Sequence, residues 1–226
     1  MGNQQQCFCI KGETEEEIIS RIIQSMRINE ISINTVYDDF SNCISNNELV
    51  EESLRLFILK MIGNDRYQNA QKDFFTHIYL HYKKDNKNVK VIGSFICFLG
   101  KGSVSEKVDV LYKHLKKYYS DLEIAVNELI YDIIYVNTKI FELTLQGYIG
   151  PEGESNLKEL WKDTRIMSLS NYFRSDFRNY KLEKVNENKE DMVKKYLEIK
   201  FEELQGENIR NVMYEQFMKD RIKETN

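Results

Sequence analysis

Phe95-Ile96-Cys97-Phe98-Leu99-Gly100-Lys101-Gly102-Ser103-Val104-Ser105-Glu106-Lys107 reads as the end of one helix, a tight turn and the start of a second helix. The apolar run stops at Leu99, and the two glycines permit the backbone reversal that closes a helix. Ser103 and Glu106 form a capping box: the hydroxyl accepts the N–H three residues on, and the carboxylate returns to the serine N–H. The same grammar recurs outward from this motif. Upstream, Thr14-Glu15-Glu16-Glu17 opens a helix with Ile18, Ile19, Ile22, Ile23 and Met26 on one stripe, and a shorter apolar pattern follows at Ile33, Val36, Tyr37 and Phe40. Ser45-Asn46-Asn47-Glu48 reads as another box, leading to Leu49, Leu54, Phe57, Ile58 and Met61. A helix is predicted from about Asp65 to Tyr82, and a short one from Val91 to Leu99. Downstream of the motif, Val104, Val108, Leu111, Tyr112, Leu115 and Tyr118 form one inner face, and Ile124 to Leu145 reads as a single long helix.

Composition agrees with an all-α fold. One proline and ten glycines in 226 residues leave too little turn chemistry for a sandwich or barrel of many short strands. A hydrophobic fraction of 42% with a net charge of only -4 excludes a disordered chain. With 32 basic against 36 acidic residues, no global positive field exists to hold phosphates, so nucleic acid is not the expected partner. The longest apolar stretch, Val91 to Leu99, is far shorter than the roughly 20 residues of a membrane-spanning helix. Cys7, Cys9, Cys43 and Cys97 follow no zinc-binding spacing, and together with the lack of a signal-peptide pattern they point to a reduced, cytoplasmic compartment.

The clearest breaker is Gly147-Tyr148-Ile149-Gly150-Pro151-Glu152-Gly153-Glu154-Ser155, which holds the only proline. It divides a flexible terminus (1–13) and a helical domain (14–146) from a linker (147–155) and a helical C-terminal extension (156–226). In the extension, Leu157, Leu160 and Trp161 begin a short helix, and two further helices are predicted at Met192–Leu204 and Ile209–Ile222. Their apolar stripes are narrow, so Trp161, Phe173, Phe177, Leu197, Leu204, Met213 and Phe217 are read as the surface that grips a protein partner. Arg174, Arg178 and Lys181, interleaved with Tyr172, Phe173 and Phe177, suit an acidic lipid or partner, or an ordinary amphipathic helix face.

Helices in pairs joined by polar loops suggest calcium-binding geometry, in which oxygens at loop positions 1, 3, 5, 7, 9 and 12 surround the ion and a glycine stands at 6. From Asp38 to Glu48 the chain has the preceding aromatic Tyr37, the apolar Ile44 and a closing carboxylate, but is one residue short and lacks the glycine. Asn86 to Val91 reads as a second loop crowded by lysines, and Lys117 to Glu128 as a third that keeps Asp121, Ile124 and Glu128. Over residues 14–145 the chain resembles a degenerate EF-hand protein of the calmodulin or neuronal-calcium-sensor kind. Through Phe95–Lys107 it is most similar to the EF-hand-like N-terminal half of TLDc-domain proteins. That resemblance implies a protein-binding helical module. Calcium needs six to eight oxygens, several of them charged, so the loops with Asp38, Glu48, Asp121 and Glu128 as remnant ligands are expected to be inactive. No strand-rich half follows Pro151, so the family's proton-pump regulation is not carried over.

Other candidate chemistry is sparse. Asp73, His77 and His81 share a helix face at intervals of four, but no glutamate follows His77 as a metalloprotease requires. Cys97 lies in an apolar run, where a thiol behaves as a small hydrophobe. Gly100-Lys101-Gly102-Ser103 lacks the spacing of a phosphate loop. Gly2, with Cys7 and Cys9 nearby, suits a dual lipid anchor of myristate and palmitate, although Gln6 replaces the usual hydroxyl residue. The expectation is a non-enzymatic, EF-hand-like adaptor or structural subunit without a cofactor. It would bind protein subunits of a larger complex, in the cytoplasm, peripherally on a membrane or in a cytoskeletal assembly. The alternative is a lipid-anchored calcium sensor.

Overall fold

The computed structural model describes residues 15–83, 88–149 and 163–203, and their fold is all-α with one small hairpin. Helix α1 (Glu15–Gln24) buries Ile18 and Ile22 and leads through a short 3-10 turn (Arg27–Glu30) into α2 (Ile33–Ser41). Strands β1 (Ile44–Ser45) and β2 (Glu48–Leu49) pair antiparallel, Ile44 opposite Leu49, and are followed by α3 (Glu51–Met61) and α4 (Gln68–Tyr82). Then come α5 (Asn88–Leu99), α6 (Val104–Tyr118), α7 (Leu122–Tyr135), a π-helical segment (Val136–Ile140) and α8 (Phe141–Ile149). Finally α9 (Asp163–Glu183) and α10 (Lys189–Glu203) complete the described fold.

The opening motif folds as read. Ser103 accepts the Glu106 N–H while the Glu106 carboxylate accepts the Ser103 N–H, closing the capping box at the start of α6. Such a cap is worth about 1 kcal/mol. The Gly-Lys-Gly turn is also pinned from outside, because the Lys101 N–H donates to the Ile31 carbonyl at 2.8 Å and the Ile33 N–H to the Lys101 carbonyl at 2.8 Å. Gly100 is required there: a Cβ on it would lie 2.9 Å from Ile33 Cα.

Four expectations change. Ser45 to Glu48 is no helix cap. Asn46 and Asn47 take φ of 53° and 62°, the left-handed pair that a two-residue hairpin turn demands, and asparagine tolerates that conformation. Helix α3 then starts after Val50, with no side-chain cap. The long helix from Ile124 to Leu145 is interrupted by the π segment, whose last residue, Ile140, accepts the Thr144 hydroxyl of α8 at 2.7 Å. Gly147, assigned to the breaker, lies inside α8, where a Cβ on it would come within 3.3 Å of Asp73 Oδ2 on α4. The apolar helix begins at Asn88, three residues before Val91.

One core joins the two halves of the chain. Helix α9 packs along α7 and α10 along α6, and Phe173, Phe177, Met192, Val193, Tyr196, Leu197 and Phe201 enter the same cluster as Leu111, Leu115, Ala125 and Leu129. The Phe98 and Phe201 rings stack at 4.1 Å, which seats the end of α10 on the end of α5.

Candidate functional site

The loop read from Asp38 to Glu48 is divided between two elements. Asp38 is exposed in the last turn of α2, where its carbonyl accepts the Asn42 N–H, and Glu48 is exposed in β2 opposite Ser45. Helix formation continues to Ser41 and a hairpin takes the remainder, so no twelve-residue loop encircles an ion here. The third loop is shorter still, since only residues 119–121 separate α6 from α7. Asp121 caps α7 by accepting the Glu123 N–H at 2.8 Å, and Glu128 is half-buried on α7, where its charge adds to burial in raising the Tyr119 phenol pKa. The second loop falls partly on residues 84–87, outside the described residues. Among the described residues, no three His, Cys, Asp or Glu side chains gather so as to hold a metal.

His77 is half-buried on α4 and His81 lies exposed one turn on. His81 stacks on Tyr135 with ring centroids 4.2 Å apart and shares a hydrogen bond with the Tyr135 hydroxyl at 3.2 Å. Cys43 and Cys97 are buried and free. Burial pushes the Cys43 thiol up to about 11 and Cys97 higher still, so both stay protonated and act as small hydrophobes.

The partner-gripping residues require a correction. Phe173, Phe177 and Leu197 are 1%, 2% and 4% exposed, because α6 and α7 of the preceding domain cover the narrow stripe that seemed to lack a neighbour. Phe177 meets the Tyr196 ring at 4.6 Å, and the Tyr196 hydroxyl donates to the Phe173 carbonyl at 3.1 Å, closing α9 onto α10. Trp161, Leu204, Met213 and Phe217 lie outside the described residues, as do Gly2, Cys7 and Cys9.

Polar chemistry is concentrated inside the bundle, at positions periodicity alone did not mark. His114 on α6 is fully buried, its Nε2–H donating to the Lys90 carbonyl of α5 at 2.8 Å. A carbonyl only accepts, so Nε2 carries the proton and Nδ1 accepts from the Tyr37 hydroxyl of α2 at 2.8 Å. Burial holds the imidazole pKa down to about 4, and it raises that of the Tyr37 phenol, so both groups are neutral in the folded protein. Tyr82 donates to the buried Asp132 carboxylate at 2.8 Å, joining α4 to α7. On the C-terminal pair, Lys200 sits 2.8 Å from Asp176 and 2.7 Å from Glu203. Burial pulls its ammonium down, but the two carboxylates outweigh burial and leave it raised. Lys107 donates to the Phe98 carbonyl at 2.9 Å, capping α5 beside the Phe201 ring. Each of these groups ties one helix to another.

Exposed apolar side chains of the described residues include those on α3 and α9. On α3, Leu56 and Leu59 are 56% and 45% exposed, while on α9 the exposed side chains include Arg174, Arg178 and Leu182. No described helix is long and apolar enough to cross a membrane. No protein-family model, curated protein or solved structure matches this chain.

Proposed function

We propose that the chain is a non-catalytic helical adaptor that binds a protein partner within a larger assembly. The observation that carries this reading is α3, which is apolar on both sides. Leu54, Phe57 and Met61 enter the core, while Leu56 and Leu59 face outward with Val50 exposed at the helix start. A helix with one apolar side needs one neighbour, and α3 has apolar side chains for two. The charges around its outer side are neutralised within the chain: Glu52 by Arg55 at 2.6 Å, Asp39 by Lys60 at 2.5 Å and Glu51 by Lys83 at 3.4 Å. A partner therefore supplies hydrocarbon rather than charge, which suits the apolar stripe of a partner helix. The helix-tying roles of His114, Asp132 and Lys200 support a scaffold reading, since their chemistry is used in holding the fold.

The test is quantitative co-purification from native cells with the tagged full chain, comparing wild type, Leu56→Glu with Leu59→Glu, and Lys113→Gln with Lys116→Gln on the exposed face of α6. The reading expects a protein retained by the wild type and the α6 variant and lost from the α3 variant. Identical protein sets from all three overturn it. Both leucines are exposed, so circular dichroism should show an unchanged fold.

A further inference from the structure

Helix α9 carries a second surface of different make. Its inner side is used up by Phe173 and Phe177. Outward, Met167, Asn171, Arg174, Arg178 and Leu182 follow one another at steps of four, three, four and four residues, so at 3.6 residues per turn they form one stripe. Met167 is 57% exposed and Leu182 65%, and Val185, just past the helix end, is 73% exposed. Arg174 and Arg178 stand exposed between these apolar ends. Neighbouring lysines are committed to acids: Lys181 to Glu123 at 2.7 Å, Lys194 to Asp109 at 2.8 Å and Lys200 to Asp176 at 2.8 Å. Arg174 and Arg178 make no ion pair among the described residues.

We propose that this stripe is a docking surface for an anionic membrane, with the two guanidinium groups among phosphate-bearing headgroups and Met167, Leu182 and Val185 dipping into the acyl boundary. The stripe is cationic without an acid, so its charge complements a polyanionic surface. From Met167 to Leu182 it runs roughly 22 Å at 1.5 Å per residue along the outside of the molecule, a long contact suited to a broad plane. Arginine and the apolar ends also divide the work as interfacial helices do, the charge held at the headgroups and the hydrocarbon below. Lys113 and Lys116 on α6 are exposed as well, but no exposed large apolar side chain of the described residues lies on that helix, so it offers charge without insertion. The outer side of α3 offers apolar surface with its charges paired. This inference stands apart from the partner reading, which uses α3.

The experiment is co-sedimentation of the unacylated full chain with phosphatidylcholine vesicles, with or without about 30% phosphatidylserine. Wild type should bind the anionic vesicles and bind pure phosphatidylcholine much less. Arg174→Gln with Arg178→Gln should weaken partitioning roughly 30-fold, from the usual contribution of each basic residue near an anionic surface. Leu182→Gln with Val185→Gln should weaken it several-fold, and Lys113→Gln with Lys116→Gln should leave it unchanged. All these side chains are exposed, so the variants keep their fold. Failure of the wild type to sediment with anionic vesicles overturns the proposal. So does an equal loss in the α6 variant, or arginine-dependent binding to polyglutamate without binding to vesicles, which would assign the stripe to an acidic protein.

Discussion

A methyl group on residue 93 would lie 2.2 Å from His114 Cε1 and 2.6 Å from Nε2, so the glycine is the socket into which the imidazole packs. The ring cannot withdraw, because Tyr37 and the Lys90 carbonyl hold it from two sides. Gly93→Ala should therefore destabilise by about 2 kcal/mol in a denaturant titration, overpacking outweighing the helix propensity that alanine adds. A stabilised variant would mean that the ring moves freely. The same burial predicts an acid response. The folded imidazole has a pKa of about 4 against 6.5 for the free side chain, so as pH falls the unfolded chain takes up the proton first. The stabilising contribution is complete above pH 6.5 and declines until the folded ring itself protonates near pH 4, a loss of about 3 kcal/mol. Unfolding free energy measured across that window should fall more steeply in the wild type than in His114→Gln. Equal slopes would show that His114 does not carry the response. Neither role was visible in the sequence, where nothing local links Gly93 to His114. The two residues are 21 apart and meet only because α5 packs against α6.

At the scale of elements, sequence signals were clearest where they act locally. The Ser103 box sits where it was read because cap and N–H lie within one turn. The Ser45 box failed because two local signals competed: the serine and glutamate spacing of a cap, and an Asn-Asn pair suited to a hairpin turn. The turn prevailed, its strands being closed by Ile44 opposite the buried Leu49. Asn47→Gly should raise stability by about 0.5 kcal/mol, and Asn47→Val should lower it by about 1–2 kcal/mol, since a branched side chain is disfavoured at positive φ. Thermal melts of both variants check the assignment, and a Val variant that melts with the wild type would argue against the hairpin. The calcium-loop pattern met a related limit. Ligand spacing describes which residues would meet around an ion only if the backbone loops out, whereas at Asp38 it stays helical and at Asp121 it passes directly into α7 as the helix cap.

For the whole molecule, the C-terminal helices form part of the core. Phe201 lies almost fully buried on Phe98, while the ion pairs of Lys181 with Glu123 and Lys194 with Asp109 fasten α9 and α10 to the preceding helices at the rim. Phe201→Ala should cost about 3 kcal/mol, removing a buried ring and leaving a cavity over Phe98. Because the core is shared, the loss should appear in the main unfolding transition. A separate low-stability transition that alone responds to the substitution would show that the two halves unfold independently.

The amino-acid order by itself determined that the chain is helical, where most helices run and which of their sides are apolar. Periodicity and capping are short-range properties, expressed within a few residues. It also marked the aromatic and basic character of α9. What covers each apolar side was decided only by tertiary structure, because covering is a relation between distant segments. Phe173, Phe177 and Leu197 looked available to a partner until α6 and α7 were seen to lie over them. The same packing turned Arg174 and Arg178 outward and brought Gly93 to His114. It also left Leu56 and Leu59 exposed on a helix whose other side was already filled.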